Sequence, residues 1–109
     1  KLSNFTTRYA TSSTGVEAAE WLYSQYKRII EELPESRRSL FSVEFFRHSS
    51  FRQPSIIVTM KGTSNEIVIL GGHEDSTSSG SVAPGADDVM KFCNFLLTII
   101  RMQVDLLLF

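Results

Sequence analysis

Apolar and polar positions change period several times along the chain. From Val16 the apolar residues recur every three or four places, through Ala19, Leu22, Tyr26, Ile29, Ile30 and Leu33, with Tyr23 beside them. Such spacing sets an apolar stripe on one face of a helix. Thr11-Ser-Ser-Thr14 precedes the stripe, and Thr14 with Glu17 has the spacing of a capping box. Pro34 ends the helix, because it has no N–H to donate and restricts the residue before it. The pattern then shortens to strict alternation over Phe41-Ser-Val-Glu-Phe45, which predicts a half-buried strand. Residues 47–55 are irregular and polar, with Pro54 among them. Ile56–Met60 reads as the next strand, Gly62-Thr-Ser-Asn65 as a turn, and Ile67-Val-Ile-Leu70 as a short continuous apolar run. A continuous run suits a strand buried on both faces. The short connection predicts that 56–60 and 67–70 pair as an antiparallel hairpin. Residues 76–86 form a loop by composition.

From Val89 to Phe109 the chain is mostly apolar, but Lys91, Asn94, Arg101, Gln103 and Asp105 interrupt it. A membrane span needs about 20 predominantly apolar residues with few charges. A buried or partly exposed helix is therefore predicted there, and no membrane partner. The whole pattern predicts an α/β fold: a helix, a hairpin, a buried central strand and a terminal helix.

Composition narrows this picture only a little. The 109 residues fit one domain with a modest core, and a 42% hydrophobic share with net charge −1 does not describe a disordered chain. There is no basic excess, so no nucleic-acid partner is expected. Arg37-Arg38 reads as a solvated basic pair. The single cysteine, Cys93, excludes an internal disulfide. The chain starts at Lys1 with no visible signal peptide, which fits a processed chain or a fragment. Asn4-Phe5-Thr6 is an N-glycosylation sequon, relevant only in a secretory compartment.

Two short acidic motifs carry the candidate chemistry. Gly71-Gly-His73-Glu74-Asp75-Ser76 follows the apolar run 67–70 directly. Ligand sites in open α/β sheets gather at the carboxyl ends of strands. On extended backbone His73 and Asp75 point to one side. A metal-binding histidine usually donates its other ring N–H to a carboxylate or carbonyl, a role open to Asp75. Taken alone, the pair reads first as an ordinary surface or capping contact. Ala83-Pro-Gly-Ala-Asp87-Asp88 is the second motif. A carboxylate there could bridge two cations about 3.5–4 Å apart. Taken alone, the two acids read first as a helix N-terminus.

Four blocks in order and register give these motifs a context: Thr14–Trp21, His48–Ile57, Ile67–Ser76 and Ser81–Asp88. Over roughly residues 4–88 the chain resembles the start of the catalytic domain of secreted two-zinc aminopeptidases, of the bacterial leucyl aminopeptidase type and its fungal relatives. The resemblance implies the start of a larger mixed sheet with flanking helices, so 1–88 is expected to be the amino-terminal part of a catalytic domain. It implies two Zn²⁺ per complete site, with His73 binding one, Asp75 orienting His73, and Asp88 bridging both. Asp87 is then a neighbouring acid, and His48 a structural or loop residue without a metal role. The implied reaction is hydrolysis of the peptide bond at a free N-terminus of a peptide or protein, outside the cell.

The remaining family ligands and the glutamate general base follow the bridging aspartate. Here the sequence departs from the family and reads Val89-Met-Lys-Phe92. No histidine or Glu-Glu pair follows, and Glu31-Glu32 lies on the upstream helix. Residues 89–109 are expected to be a divergent tail, from a retained intron, a frameshift or a wrong gene model. These 109 residues are expected to be inactive alone. The alternative is a non-catalytic product that associates with a partner. A third reading keeps the fold with carboxypeptidase or glutaminyl cyclase chemistry, though blocks 48–57 and 81–88 favour the aminopeptidase branch.

Overall fold

A computed structural model describes residues 2–78 and 80–85 of the chain. A single 3-10 turn at Leu2–Asn4 leads into α1 (Ser13–Glu31), the short α2 (Glu35–Arg38), β1 (Phe41–Phe46) and β2 (Ser55–Met60). This is an α/β chain, as the periodicity predicts.

Helix α1 begins where Ser12 leaves the extended region and its hydroxyl accepts a hydrogen bond from Gly15 N at 2.9 Å. The same hydroxyl donates to Tyr9 O at 2.7 Å, and Ser12 N donates to that carbonyl at 2.8 Å. The incoming turn thus fixes the cap at Ser12. The capping box expected at Thr14 and Glu17 is not used, because both residues already lie inside the helix. At the other end Leu33 N closes back on Ile30 O at 3.1 Å, and Pro34 then opens α2. Of the predicted stripe, Ala19, Leu22, Tyr26, Ile29, Ile30 and Leu33 are buried, and Ala18 is buried beside them.

Strands β1 and β2 pair antiparallel, with Phe41 opposite Met60, Val43 opposite Val58 and Phe45 opposite Ile56. Alternation puts Phe41, Val43, Ile56 and Val58 on one face, against Leu22, Tyr26 and Ile29 of α1. Tyr23 stacks on Phe45 with ring centroids 4.3 Å apart. Ile29 is 2% exposed and sits at the centre of this layer. Burying a side chain of that size contributes about 1.5–3 kcal/mol.

Two strand predictions need correction. The hairpin partner of β2 is β1, joined through residues 47–54, and not the run 67–70. Residues 47–54 are irregular but tethered. Gln53 is buried, its N–H donates to Ala10 O at 2.9 Å, and its side-chain amide donates to Gly15 O at 3.0 Å. His48 Nε2 and Ser55 Oγ meet at 2.8 Å. These bonds close the β1–β2 hairpin with more than its turn.

The run Ile67–Leu70 forms no strand and is not buried. Ile67 is 83% exposed and Ile69 85%. A buried strand needs a ladder partner on its edge and a layer on each face. Among the described residues neither is present, so apolarity alone does not make a strand. The tail 89–109, with its expected helix, lies outside the described residues. Among the described residues no helix is long and apolar enough to cross a membrane.

Candidate functional site

The described residues between Gly71 and Gly85 form no helix or strand of their own. They are hung on residues 6–8. Ala83 N donates to Thr6 O at 2.7 Å, and Thr7 and Ala83 form an isolated parallel bridge. Arg8 N donates to Ser76 Oγ at 2.9 Å, Ser76 N donates to Arg8 O at 3.3 Å, and Ser76 Oγ donates to Ala83 O. Ser76 and Ala83 are both buried. They close the base of the intervening loop against the amino-terminal segment.

The Arg8 side chain extends this closure. It is 1% exposed, and its guanidinium reaches several backbone carbonyls. Nε donates to Glu74 O at 3.0 Å, Nη1 to Leu2 O at 3.3 Å and to Pro84 O, and Nη2 to Gly85 O at 3.4 Å. A planar fork of five donors suits such a set, where a lysine would meet one carbonyl at a time. Gly85 has φ +57°, the left-handed region that favours glycine, and its backbone lies against the fork. A Cβ there would fall 2.8 Å from Arg8 Nη2 and 2.8 Å from Ser76 Cβ.

On the limb before this closure, His73 Nδ1 lies 3.1 Å from Asp75 Oδ1 and 3.1 Å from the Asp75 carbonyl. The His73 side chain is 54% exposed, so water screens the contact. With Nδ1 as donor, the ring presents Nε2 as its basic nitrogen. That is the tautomer in which an imidazole ligates a metal with a carboxylate behind it. The donor chemistry of this pair therefore fits a zinc ligand. Among the described residues, no group of three or more His, Cys, Asp or Glu side chains could hold a metal ion. Asp87 and Asp88 lie outside the described residues.

Glu74 lies between the two. Its carboxyl is pushed up from 4.5 to about 7, first by burial and second by the charge of Asp75, while Arg8 pulls the other way. It borders a cavity of about 220 Å³ between α1 and residues 70–75, lined also by Tyr26, Phe51 and Gln53. His48 is engaged elsewhere, in the hairpin connection. Besides its Ser55 contact it stacks on Phe51 at 4.3 Å and meets Phe46 edge-on at 5.1 Å.

Arg8, Ser76 and Gly85 shape the segment, yet sequence patterns assign none of the three this role. An isolated arginine between Thr7 and Tyr9 has no periodicity to mark it. The one usable signal is Pro84-Gly85, a turn dipeptide that requires an unusual φ.

No family model matches the chain. Curated proteins do. The leucine aminopeptidase 1 of Aspergillus niger is 45% identical over 92 residues, covering 81% of this chain and 23% of the relative. Its Aspergillus oryzae counterpart is 44% identical over 92 residues, with the same coverage of 81% and 23%. A probable aminopeptidase of Saccharomyces cerevisiae is 39% identical over 94 residues, 81% of this chain and 24% of that protein. The chain thus spans about a quarter of the length of the curated relatives it matches. Over that stretch it is homologous to fungal leucine aminopeptidases, and the aminopeptidase resemblance of the sequence holds.

Proposed function

We propose that this chain carries part of the active site of a zinc-dependent aminopeptidase that removes residues from the free N-terminus of peptides. The observation that carries the reading is the His73–Asp75 contact at 3.1 Å, set in the stretch matched by the leucine aminopeptidases. His73 holds one zinc through Nε2. Asp75 fixes the Nδ1–H tautomer and keeps the ring in place. Asp88 would serve as a carboxylate ligand shared between two zincs. A bound zinc pair supplies an acidified water and polarises the scissile carbonyl.

Of these 109 residues the reading assigns only His73 and Asp88 as zinc ligands, fewer than the about three per ion that a catalytic site uses. The further ligands and the general base come from outside them, so the isolated chain does not hydrolyse peptides. We further read the protein as acting outside the cell, where the Asn4 sequon would be used. A glycosidase-sensitive mass on the secreted product tests that point.

The catalytic reading is tested by substitution into a complete relative. Residues 4–88 replace the homologous stretch of the Aspergillus niger leucine aminopeptidase 1, and release of leucine from leucyl-amide is measured with and without a chelator. Chelator-sensitive release is expected, with loss of about 100-fold or more for His73→Ala and Asp88→Asn, because each removes a direct zinc contact. Unaltered release from both variants would exclude these ligand roles.

A second reading rests on the exposed run Ile67–Leu70. Apolar surface of this kind invites association, so the isolated chain could act only by binding a partner. A monodisperse monomer in sedimentation counts against it.

A further inference from the structure

We propose that the exposed run Ile67–Leu70 pairs with the same run of a second copy of this chain, an inference that rests on the partner-binding reading of the isolated chain. The two runs lie antiparallel about a two-fold axis at Val68. Val68 then faces Val68 of the second copy, and Ile67 faces Ile69 of the second copy. The run presents both halves of a strand interface. Ile67, Val68, Ile69 and Leu70 are 83%, 74%, 85% and 50% exposed. Residues 67–72 follow a path without helix, turn or bend, and among the described residues none of their main-chain groups is hydrogen-bonded. A row of free N–H and C=O groups beside apolar side chains is a template for another strand.

The strands already formed guard their edges, and this run does not. Glu44 stands in the middle of β1, and Pro54 and Lys61 bracket β2. Charges and prolines of this kind discourage edge pairing, and residues 67–72 hold neither. Isoleucine and valine also suit the pleated surface of a sheet. Leu70 borders the cavity beside Tyr26 and Phe51, so the run rests against the body at that end and a second copy reaches it from the outer side. Symmetry and charge select the second copy as occupant. Ile67-Val68-Ile69 reads the same from both ends, so a two-fold axis at Val68 sets like side chains against like. Glu66 is the one charge adjoining the run. In a parallel register the two Glu66 side chains would lie side by side, where like charges destabilise a pair. In the antiparallel register they sit at opposite ends, each facing Leu70 of the other copy. Glu66–Leu70 gives five residues a side, well below the about 20–30 of a stable interface, so the dimer is weak and follows concentration.

The test is sedimentation equilibrium of the full 109-residue chain over a wide concentration range. Val68→Lys and Val68→Glu are measured separately and as an equimolar mixture, with the α1 signal in circular dichroism as the fold control. Thr63→Lys, at an exposed position outside the pairing, controls for added charge alone.

Wild type is expected to show a monomer–dimer equilibrium. Each Val68 variant alone should associate about tenfold or more weakly, because like charges then face each other across the axis. The mixture should return to within about threefold of wild type, since opposite charges now meet there. Thr63→Lys should associate as wild type does. If a Val68 variant loses the α1 signal, Ile67→Lys mixed with Ile69→Glu decides instead, because those two positions face each other between copies. Association undiminished in the variants, or not restored by mixing, overturns the pairing and leaves partner binding through another surface. Wild-type assemblies larger than a dimer overturn the two-fold closure. A wild-type chain that stays monomeric at every concentration overturns the pairing and the partner-binding reading together.

Discussion

Gly15→Ala separates two effects of opposite sign. By helix propensity alone, alanine in place of glycine inside a helix stabilises by about 1 kcal/mol. Gly15 is buried in the first turn of α1, and a Cβ built there lies 2.3 Å from Tyr9 O and 3.2 Å from Ser12 Oγ. The first contact is to backbone, which cannot rotate away. Tyr9 O also accepts from Ser12 N at 2.8 Å and Ser12 Oγ at 2.7 Å, so moving it disturbs the turn that presents the cap. Overpacking of this kind costs about 1–3 kcal/mol, and weakening the Ser12 cap adds about 1 kcal/mol. The steric term wins, with a net loss of about 2 kcal/mol. Urea unfolding followed by circular dichroism at 222 nm measures it. Gly62→Ala is the control, because nothing lies within 4 Å of its added Cβ. That change should stay within about 0.5 kcal/mol. A Gly15→Ala chain as stable as wild type, or more so, would refute the close approach of Tyr9 to α1.

Further outcomes follow from single residues. Glu74 has a folded pKa raised from 4.5 to about 7, so its neutral form favours the folded state below pH 4.5 and that contribution is lost as pH rises through about 7. Stability should fall between pH 5 and 8 in wild type and lose most of that slope in Glu74→Gln; an equal slope in both would assign it to other groups. Ile29→Ala empties the centre of the helix–sheet layer, where Ile29 is 2% exposed, and should cost about 2–5 kcal/mol in the same urea assay. Ile67→Lys should leave the isolated chain within about 0.5 kcal/mol of wild type, because Ile67 is 83% exposed; a large loss would mean that a covering layer forms in solution.

The helix was legible in the sequence because its signal is redundant: nineteen residues repeat one period, and Pro34 stands near the end. The alternating strand Phe41–Phe45 was legible for the same reason, since alternation itself states that one face is covered. The run Ile67–Leu70 misled because a short apolar stretch has no period, and its state depends wholly on neighbours. The cap at Ser12 was missed because four consecutive hydroxyl residues offer four equivalent caps. The choice is made by Tyr9, which no local pattern connects to the helix. Of the candidate site, His73 and Asp75 were readable as a pair because two residues of separation is a local matter. Arg8 was not, since the loop carbonyls its side chain reaches, on Glu74, Pro84 and Gly85, lie 66 to 77 positions away.

The central claim is that His73 is a zinc ligand oriented by Asp75. Its most direct measurement is anomalous scattering at the zinc edge from crystals of the Aspergillus niger enzyme carrying residues 4–88 of this chain. The account predicts a zinc peak about 2.0–2.1 Å from His73 Nε2, on the ring nitrogen opposite Asp75. An active crystal form whose zinc ions leave His73 uncoordinated would contradict it.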